Sequence, residues 1–245
     1  MRFYVSPESI FLEKNIIEVK DKREIRHIRD VMRLKRSATV DIFDGKGNEY
    51  SGKIKDINRG SVVIEIKNIV DFKSDIPYRV TLYQAMPKKG KIDFIVEKAV
   101  ELGVDTIVPI ITERTRWAIV GEKARLKTER WIRIAKAASK QCGRVELPII
   151  RDVTDFNKGL VESKKSDMTI FAALDKDARP LKEAFEASRP GNIAVFVGPE
   201  GDFSQSEISM ARKQGCRICS LGPLVLRVET AAIYILSCLN YEYSN

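Results

Sequence analysis

Three stretches near the C-terminus place charged and turn-forming residues directly after apolar runs. They are "AALDKDARP" (172–180), "VGPEGDF" (197–203) and "LGPLVLRVET" (221–230). In an open α/β sheet, ligands bind beyond the carboxyl ends of the strands, so three such ends together mark a candidate site. Gly198 and Gly201 permit backbone conformations closed to other residues and let a ligand approach closely. Ser204 and Glu207 form a Ser-x-x-Glu capping box, which predicts a helix starting just behind the loop, with its first amides free for a ligand's polar edge. Leu221, Leu224 and Leu226 supply apolar walls.

Several kinds of chemistry are excluded. The dinucleotide fingerprint G-x-G-x-x-G and the Walker phosphate loop are both absent. The one histidine, His27, lies among arginines far from these strand ends, so no Ser-His-Asp or Cys-His arrangement forms. Four cysteines occur, at 142, 216, 219 and 238. Cys216 and Cys219 make a lone C-x-x-C, too few ligands for a zinc site. A redox pair is the alternative, but "GCRICSL" reads as a strand carrying small buried hydrophobes. The opening "MRFYVSPESI" lacks the apolar core of a signal peptide, and no apolar run is long enough to span a bilayer, so a soluble cytoplasmic protein is expected.

The elements that must position the strand ends follow from periodicity. From Val80 onward strands and helices alternate, as in a mostly parallel sheet covered by helices on both faces. Strands are expected over 79–86, 105–111, 167–174, 192–198 and 216–222. Helices are expected over 91–103, 122–143, 204–215 and 230–241. In the first of these, Ile92, Ile95, Val96, Ala99 and Val100 form an apolar stripe that Gly103 ends. Residues 1–72 read instead as a β-rich module. "DGKGN" (44–48) turns one hairpin, Val62, Ile64 and Ile66 share a strand face, and a short helix sets Ile25, Ile28, Val31 and Met32 against Arg23, Arg26, Arg29 and Arg33. The polar stretch 71–79 links the two parts.

The formal net charge is +9 at pH 7, which fits a polyanionic partner. It concentrates in the middle of the chain: residues 79–151 hold 16 Lys and Arg against 8 Asp and Glu, whereas 152–245 hold 11 against 13. The helix over 122–143 bears Lys123, Arg125, Lys127, Arg130, Arg133, Lys136 and Lys140. Arg114 and Arg116 in "TERTRW" lie beyond a strand end, and all of these, with the arginines of the first module, are candidate RNA contacts.

Taken together, "FVGPEGDFSQSE" followed by "SLGPLVLRVETAA" resembles the SPOUT methyltransferases, and among them the ribosomal RNA small-subunit methyltransferase E family. The likeness runs along nearly the whole chain. "RFYV" and "HIRDVMRLKRSATVDIFDGKGNEYSGKI" resemble that family's RNA-binding domain. "KIDFIVEKAVELGVDTIVPIITERT" and "RWIRIAKAASKQCGR" resemble the entry to its catalytic domain. The resemblance implies a fold class: an α/β chain with a C-terminal trefoil-knotted, mostly parallel sheet (79–245) and a small N-terminal PUA-like β-barrel (1–72). It also implies a homodimer that binds S-adenosylmethionine and methylates N3 of a uridine in 16S rRNA, free or in the small ribosomal subunit, with no metal and no membrane.

Carried over by position, Gly198, Pro199, Glu200 and Gly201 form one cofactor loop. Leu221, Gly222, Leu226 and Arg227 form a second, and Leu174 marks the third strand end. The family more often has a basic residue where Leu224 stands here. N3 of uridine carries a proton, so something must help remove it or stabilise the resulting anion: a carboxylate base would be Glu200 or Glu229, and a cation for the uridine oxygens would be Arg227. Two alternatives remain: an RNA-binding ribosome-assembly factor of the same fold without activity, and a SPOUT enzyme acting on another base or a ribose 2′-OH.

Overall fold

The computed structural model describes residues 1–71, 76–88, 90–115, 121–185 and 189–244. The chain divides into two compact units, Met1–Ser74 with Ser139–Leu147, and Asp75–Ala138 with Pro148–Asn245.

In the first unit, strands β1 (Arg2–Tyr4), β2 (Ile10–Phe11), β3 (Ile16–Val19), β4 (Thr39–Phe43), β5 (Asn48–Ile57) and β6 (Val62–Asp71) form one sheet in the order β1-β4-β5-β6-β3-β2. The β4–β5 hairpin falls on "DGKGN", where Asp44 Oδ1 accepts hydrogen bonds from the amides of Lys46 and Asn48, at 2.7 and 3.2 Å. Strand alternation sends Val62, Ile64 and Ile66 inward against Ile17, Val40, Ile42 and Ile54. Helix α1 (Lys22–Arg26) caps this core with Ile25 and passes into a π-turn over His27–Val31. The wider turn rotates the chain out of the 3.6-residue phase. Ile28 therefore stays buried, while Val31, expected on the same face, is 63% exposed. The Lys140 ammonium makes a largely buried pair with Glu24 in this unit, at 2.8 Å.

The second unit is a parallel sheet. Its strands are β7 (Arg79–Ala85), β8 (Thr106–Ile111), β9 (Ile149–Ile150), β10 (Thr154–Asp155), β11 (Met168–Ala172), β12 (Arg179–Pro180), β13 (Asn192–Val197) and β14 (Arg217–Ser220), in the order β10-β8-β7-β13-β11-β14-β12, with β9 also on β8. The helices are α2 (Lys91–Glu101), α3 (Glu122–Cys142), α4 (Phe156–Glu162), α5 (Leu181–Ala184), α6 (Gln205–Lys213) and α7 (Val228–Tyr243). β13 shows why both faces are covered. Ile193, Val195 and Val197 enter one core with α2, α3 and α7, while Ala194 and Phe196 enter another with α4 and α6. A strand apolar on both sides needs helices on both sides. The α2 stripe is buried throughout, and Trp131 anchors α3 with no exposed surface. Parallel pairing brings the carboxyl ends of β11, β13 and β14 to one edge, which is where the three sequence stretches leave the sheet. Among the described residues no helix is long and apolar enough to cross a membrane, and no group of three His, Cys, Asp or Glu is placed to hold a metal.

Candidate active site

After β13 the chain turns through Gly198 to Phe203 and enters α6 behind Ser204. The capping box forms: Ser204 Oγ accepts the Glu207 amide at 3.2 Å, and Glu207 Oε2 accepts the Ser204 amide at 2.8 Å. The other carboxylate oxygen of Glu207 accepts the Glu113 amide at 2.9 Å, so this buried acid also fixes the loop after β8. Neither Gly198 nor Gly201 has a positive φ. The left-handed residue of the turn is Asp202, at φ +59°. Asx residues tolerate that region, and here the Asp202 carboxylate accepts the Leu174 amide at 2.7 Å, tying the end of β11 to the loop. Burial pushes the Asp202 carboxyl above its ordinary range. The role of Gly198 is close approach: a Cβ there would stand 3.1 Å from Asp202 Oδ1 and 3.2 Å from the Phe203 ring.

The third segment leaves β14 through Gly222, at φ +122°, and reaches α7 at Arg227. Arg227 is the N-cap of α7, so neither Glu229 nor any other side chain caps this helix. Helix starts normally recruit Ser, Thr, Asp or Asn for that purpose. The amides of Val228, Glu229 and Thr230 consequently have no acceptor among the described residues.

These segments enclose a cavity of about 270 Å³. Of the residues expected at a cofactor site, Leu174, Gly198, Pro199, Glu200, Leu221, Gly222, Leu226 and Arg227 line it. Gly201 does not; it faces a neighbouring cavity with Lys88, Glu113 and Arg114. Sequence reasoning missed Lys91, Asp202, Cys219 and Val228, which also line the first cavity. Lys91 Nζ stands 3.3 Å from Glu200 Oε1 and 3.2 Å from Glu229 Oε2. Glu200 also accepts the Lys88 amide at 3.1 and 3.2 Å. Burial opposes ionisation of Glu200, but these amide bonds and Lys91 outweigh it and hold its carboxyl below the usual range. Glu229 Oε2 is buried and has no well-directed hydrogen bond, only the ion contact to Lys91.

The basic residues separate by partner. Arg114 donates to the Gly201 carbonyl at 2.7 Å. Arg130 pairs with Asp93, which also accepts the Trp131 indole N–H. Arg125 is held between Glu122 and Glu129, and Arg29 by Asp30. Arg23, Arg26 and Arg133 are exposed, and Arg116 lies outside the described residues. Cys216 and Cys219 are buried free thiols, each pushed up to about 11 by burial, as core side chains and not a redox pair.

A parallel sheet with a ligand cavity at its carboxyl edge, joined to a separate β unit, defines a class, and family models name it. An RNA methyltransferase domain matches residues 74–240, and an RNA methyltransferase PUA domain matches 19–67. The chain is 34% identical to ribosomal RNA small subunit methyltransferase E of Aquifex aeolicus, over 88% of this chain and 90% of that one. It is 28% identical to the Bacillus subtilis protein of that name, over 89% and 88%. Among solved structures, the ribosomal RNA small subunit methyltransferase E of Neisseria gonorrhoeae, bound to S-adenosyl methionine, superposes with a TM-score of 0.86 at 28% identity, covering 98% of this chain and 96% of that one. A Legionella pneumophila methyltransferase with bound SAM gives 0.88 at 29% identity, over 98% and 96%. The chain belongs to the ribosomal RNA small subunit methyltransferase E family.

Proposed function

We propose that this chain transfers the methyl group of S-adenosylmethionine to N3 of a uridine in 16S rRNA. The observation that carries the reading is the cavity at the carboxyl edge of β11, β13 and β14, closed by the uncapped start of α7. Its residues fit such a cofactor. Leu221, Leu226 and Val228 offer an apolar wall, Glu200 and Asp202 are anions beside a cationic group, and the uncapped amide of Val228 is a hydrogen-bond donor. The cofactor supplies, when bound, an electrophilic methyl group for in-line displacement by N3. The protein's part is alignment, worth roughly 7–11 kcal/mol when both reactants are held in line.

Arg227, exposed at the cavity and without an ion-pair partner among the described residues, would stabilise charge on the uracil oxygens as N3 loses its proton. The proton acceptor is Glu200 or Glu229. Glu200 is engaged by the Lys88 amide and by Lys91, whereas Glu229 is engaged through Oε2 by Lys91 alone. RNA is gripped by Arg23, Arg26 and Arg133, with Lys123 and Lys127 of α3. Arg29, Arg114, Arg116 and Arg130 complete the basic set. Residues 1–72 serve binding and 79–245 serve transfer. The reading extends to a trefoil knot through the segments that line the cavity, to the assembled small subunit as substrate and to a cytoplasmic place of work. It also makes the protein a homodimer whose second copy covers Leu224 and Val225, 76% and 75% exposed.

The test is nucleoside analysis of 16S rRNA and of small subunits treated with this protein and labelled S-adenosylmethionine. N3-methyluridine is the expected product. A 2′-O-methylated nucleoside or another methylated base refutes the uridine assignment, and no product despite calorimetric cofactor binding refutes the enzyme. Arg227→Ala should leave the fold intact and cut transfer by about 100-fold, as loss of one charge-stabilising donor does; near-normal turnover removes Arg227 from the mechanism.

A further inference from the structure

Lys91 occupies the first position of α2, where the helix dipole disfavours a cation. It lines the cavity and reaches two carboxylates from distant parts of the chain, Glu200 after β13 and Glu229 in the first turn of α7. We propose that Lys91 is a positioning residue: its ammonium clamps Glu200 and Glu229 together and joins the cofactor loop to the start of α7. The proposal rests on the methyltransferase reading and deepens it.

Two arguments support the clamp. An amine at a helix start is held there only by compensating anions, and Glu200 and Glu229 are the two acids within 4 Å of it. Conversely, two carboxylates sharing one cation would face each other unscreened without it, and one would take up a proton or swing away. The other charged groups nearby do not substitute. Asp93 of α2 is taken by Arg130 and Trp131, the Asp202 carboxylate is bound to the Leu174 amide, and among the described residues Arg227 pairs with neither Glu200 nor Glu229. All three clamp residues retain only 19 to 30% of their side-chain exposure, so solvent screens them incompletely.

The consequence falls on the proton step. With Lys91 in place, Glu200 is held ionised and Glu229 is fixed beside it. With Lys91 removed, Glu200 loses one of the partners that hold it ionised, and the loop and helix start lose their tie. Lys91→Met keeps the aliphatic stem and removes the charge, and Lys91→Arg keeps the charge. Carbon-13 NMR of the carboxylates in the free protein, assigned with Glu200→Gln and Glu229→Gln, reads their titration, and thermal melts confirm folding.

In Lys91→Met the Glu200 resonance should titrate at higher pH than in the wild type. Methyl transfer should fall roughly tenfold relative to wild type at the acidic end of its profile, recovering as pH rises. Lys91→Arg should restore both. An unchanged Glu200 titration in Lys91→Met, or a shifted titration with an unchanged rate profile, overturns the clamp. If the wild type makes no N3-methyluridine, the functional reading fails, and the carboxylate titrations with calorimetric cofactor affinity still decide the clamp. Should Lys91→Met not fold, Lys91→Gln carries the same measurements.

Discussion

The two glycines of "GPEG" look alike in sequence, but the structure gives them opposite sensitivities. A Cβ built on Gly198 stands 3.1 Å from Asp202 Oδ1 and 3.2 Å from Cδ2 and Cε2 of Phe203, against ordinary contacts beyond 3.4 Å. Neither neighbour has room to retreat. Phe203 is 1% exposed and its ring lies 4.2 Å from Phe171 and 5.8 Å from Phe156, centroid to centroid. Asp202 holds the Leu174 amide at 2.7 Å, so moving its carboxylate opens the tie between β11 and the loop. Overpacking of this kind costs about 1–3 kcal/mol. A Cβ on Gly201 meets only Arg114 carbons, at 3.6 and 3.7 Å. Neither φ is positive, so alanine adds no backbone strain at either site, and the lost freedom of the unfolded chain returns about 0.4–1 kcal/mol to both variants.

Gly198→Ala should therefore lower the melting temperature of the second unit by several degrees, taking about 2–4 °C per kcal/mol for a chain of this size. It should also weaken S-adenosylmethionine binding, because Leu174, Gly198 and Asp202 all line the cavity. Gly201→Ala should melt within a degree or two of the wild type, or above it, with cofactor affinity retained. Differential scanning calorimetry with and without cofactor, and isothermal titration, read both effects. Equal destabilisation by the two substitutions would refute the packing argument, since it would mean that the turn needs glycine for conformation and not for space.

Three further outcomes are expected. Arg133→Ala should weaken RNA binding and reduce the slope of log affinity against log salt by about 0.7–0.9, whereas Arg130→Ala should chiefly lower stability, because Asp93, which also accepts the Trp131 indole N–H, loses its cation; filter binding across a salt series and chemical denaturation separate them. In the native protein a thiol reagent should label exposed Cys142 promptly and reach Cys216 and Cys219 only on unfolding, since burial pushes both thiols up to about 11. Asp202→Asn should be more stable than the wild type at neutral pH, with weaker cofactor binding. The raised carboxyl makes the folded chain bind more protons than the unfolded one above the ordinary value of 3.8, so wild-type stability falls as pH rises through that window, and the difference between the two proteins, read from denaturation midpoints, should vanish as pH approaches 4.

How far the chain could be read depended on the range of each interaction. The α2 stripe, the β4–β5 hairpin turn and the Ser204–Glu207 box are local, and each formed where its residues placed it. Strand ends that recur after apolar runs located the cavity, because parallel pairing carries all of them to one edge. Val31 failed because a π-turn changed the helical phase, and nothing in "HIRDV" announces one. The short pieces β9, β10, β12, α4 and α5 carry too few residues to show a period. Glu207 read as a helix cap and proved also to fix Glu113, a contact across 94 positions that no local pattern encodes.

The start of α7 is different, because its signal was present and went unused. "LRVETAA" opens a helix with no Ser, Thr, Asp or Asn at the cap, directly after a glycine turn. A chain that leaves these three amides without a side-chain cap gives up the roughly 1 kcal/mol that a cap supplies. The loss is tolerable where a ligand's polar atoms take the same amides. A missing cap beside a turn is thus itself a sequence mark of a binding site. It marks Val228 and Arg227, both of which line the cavity.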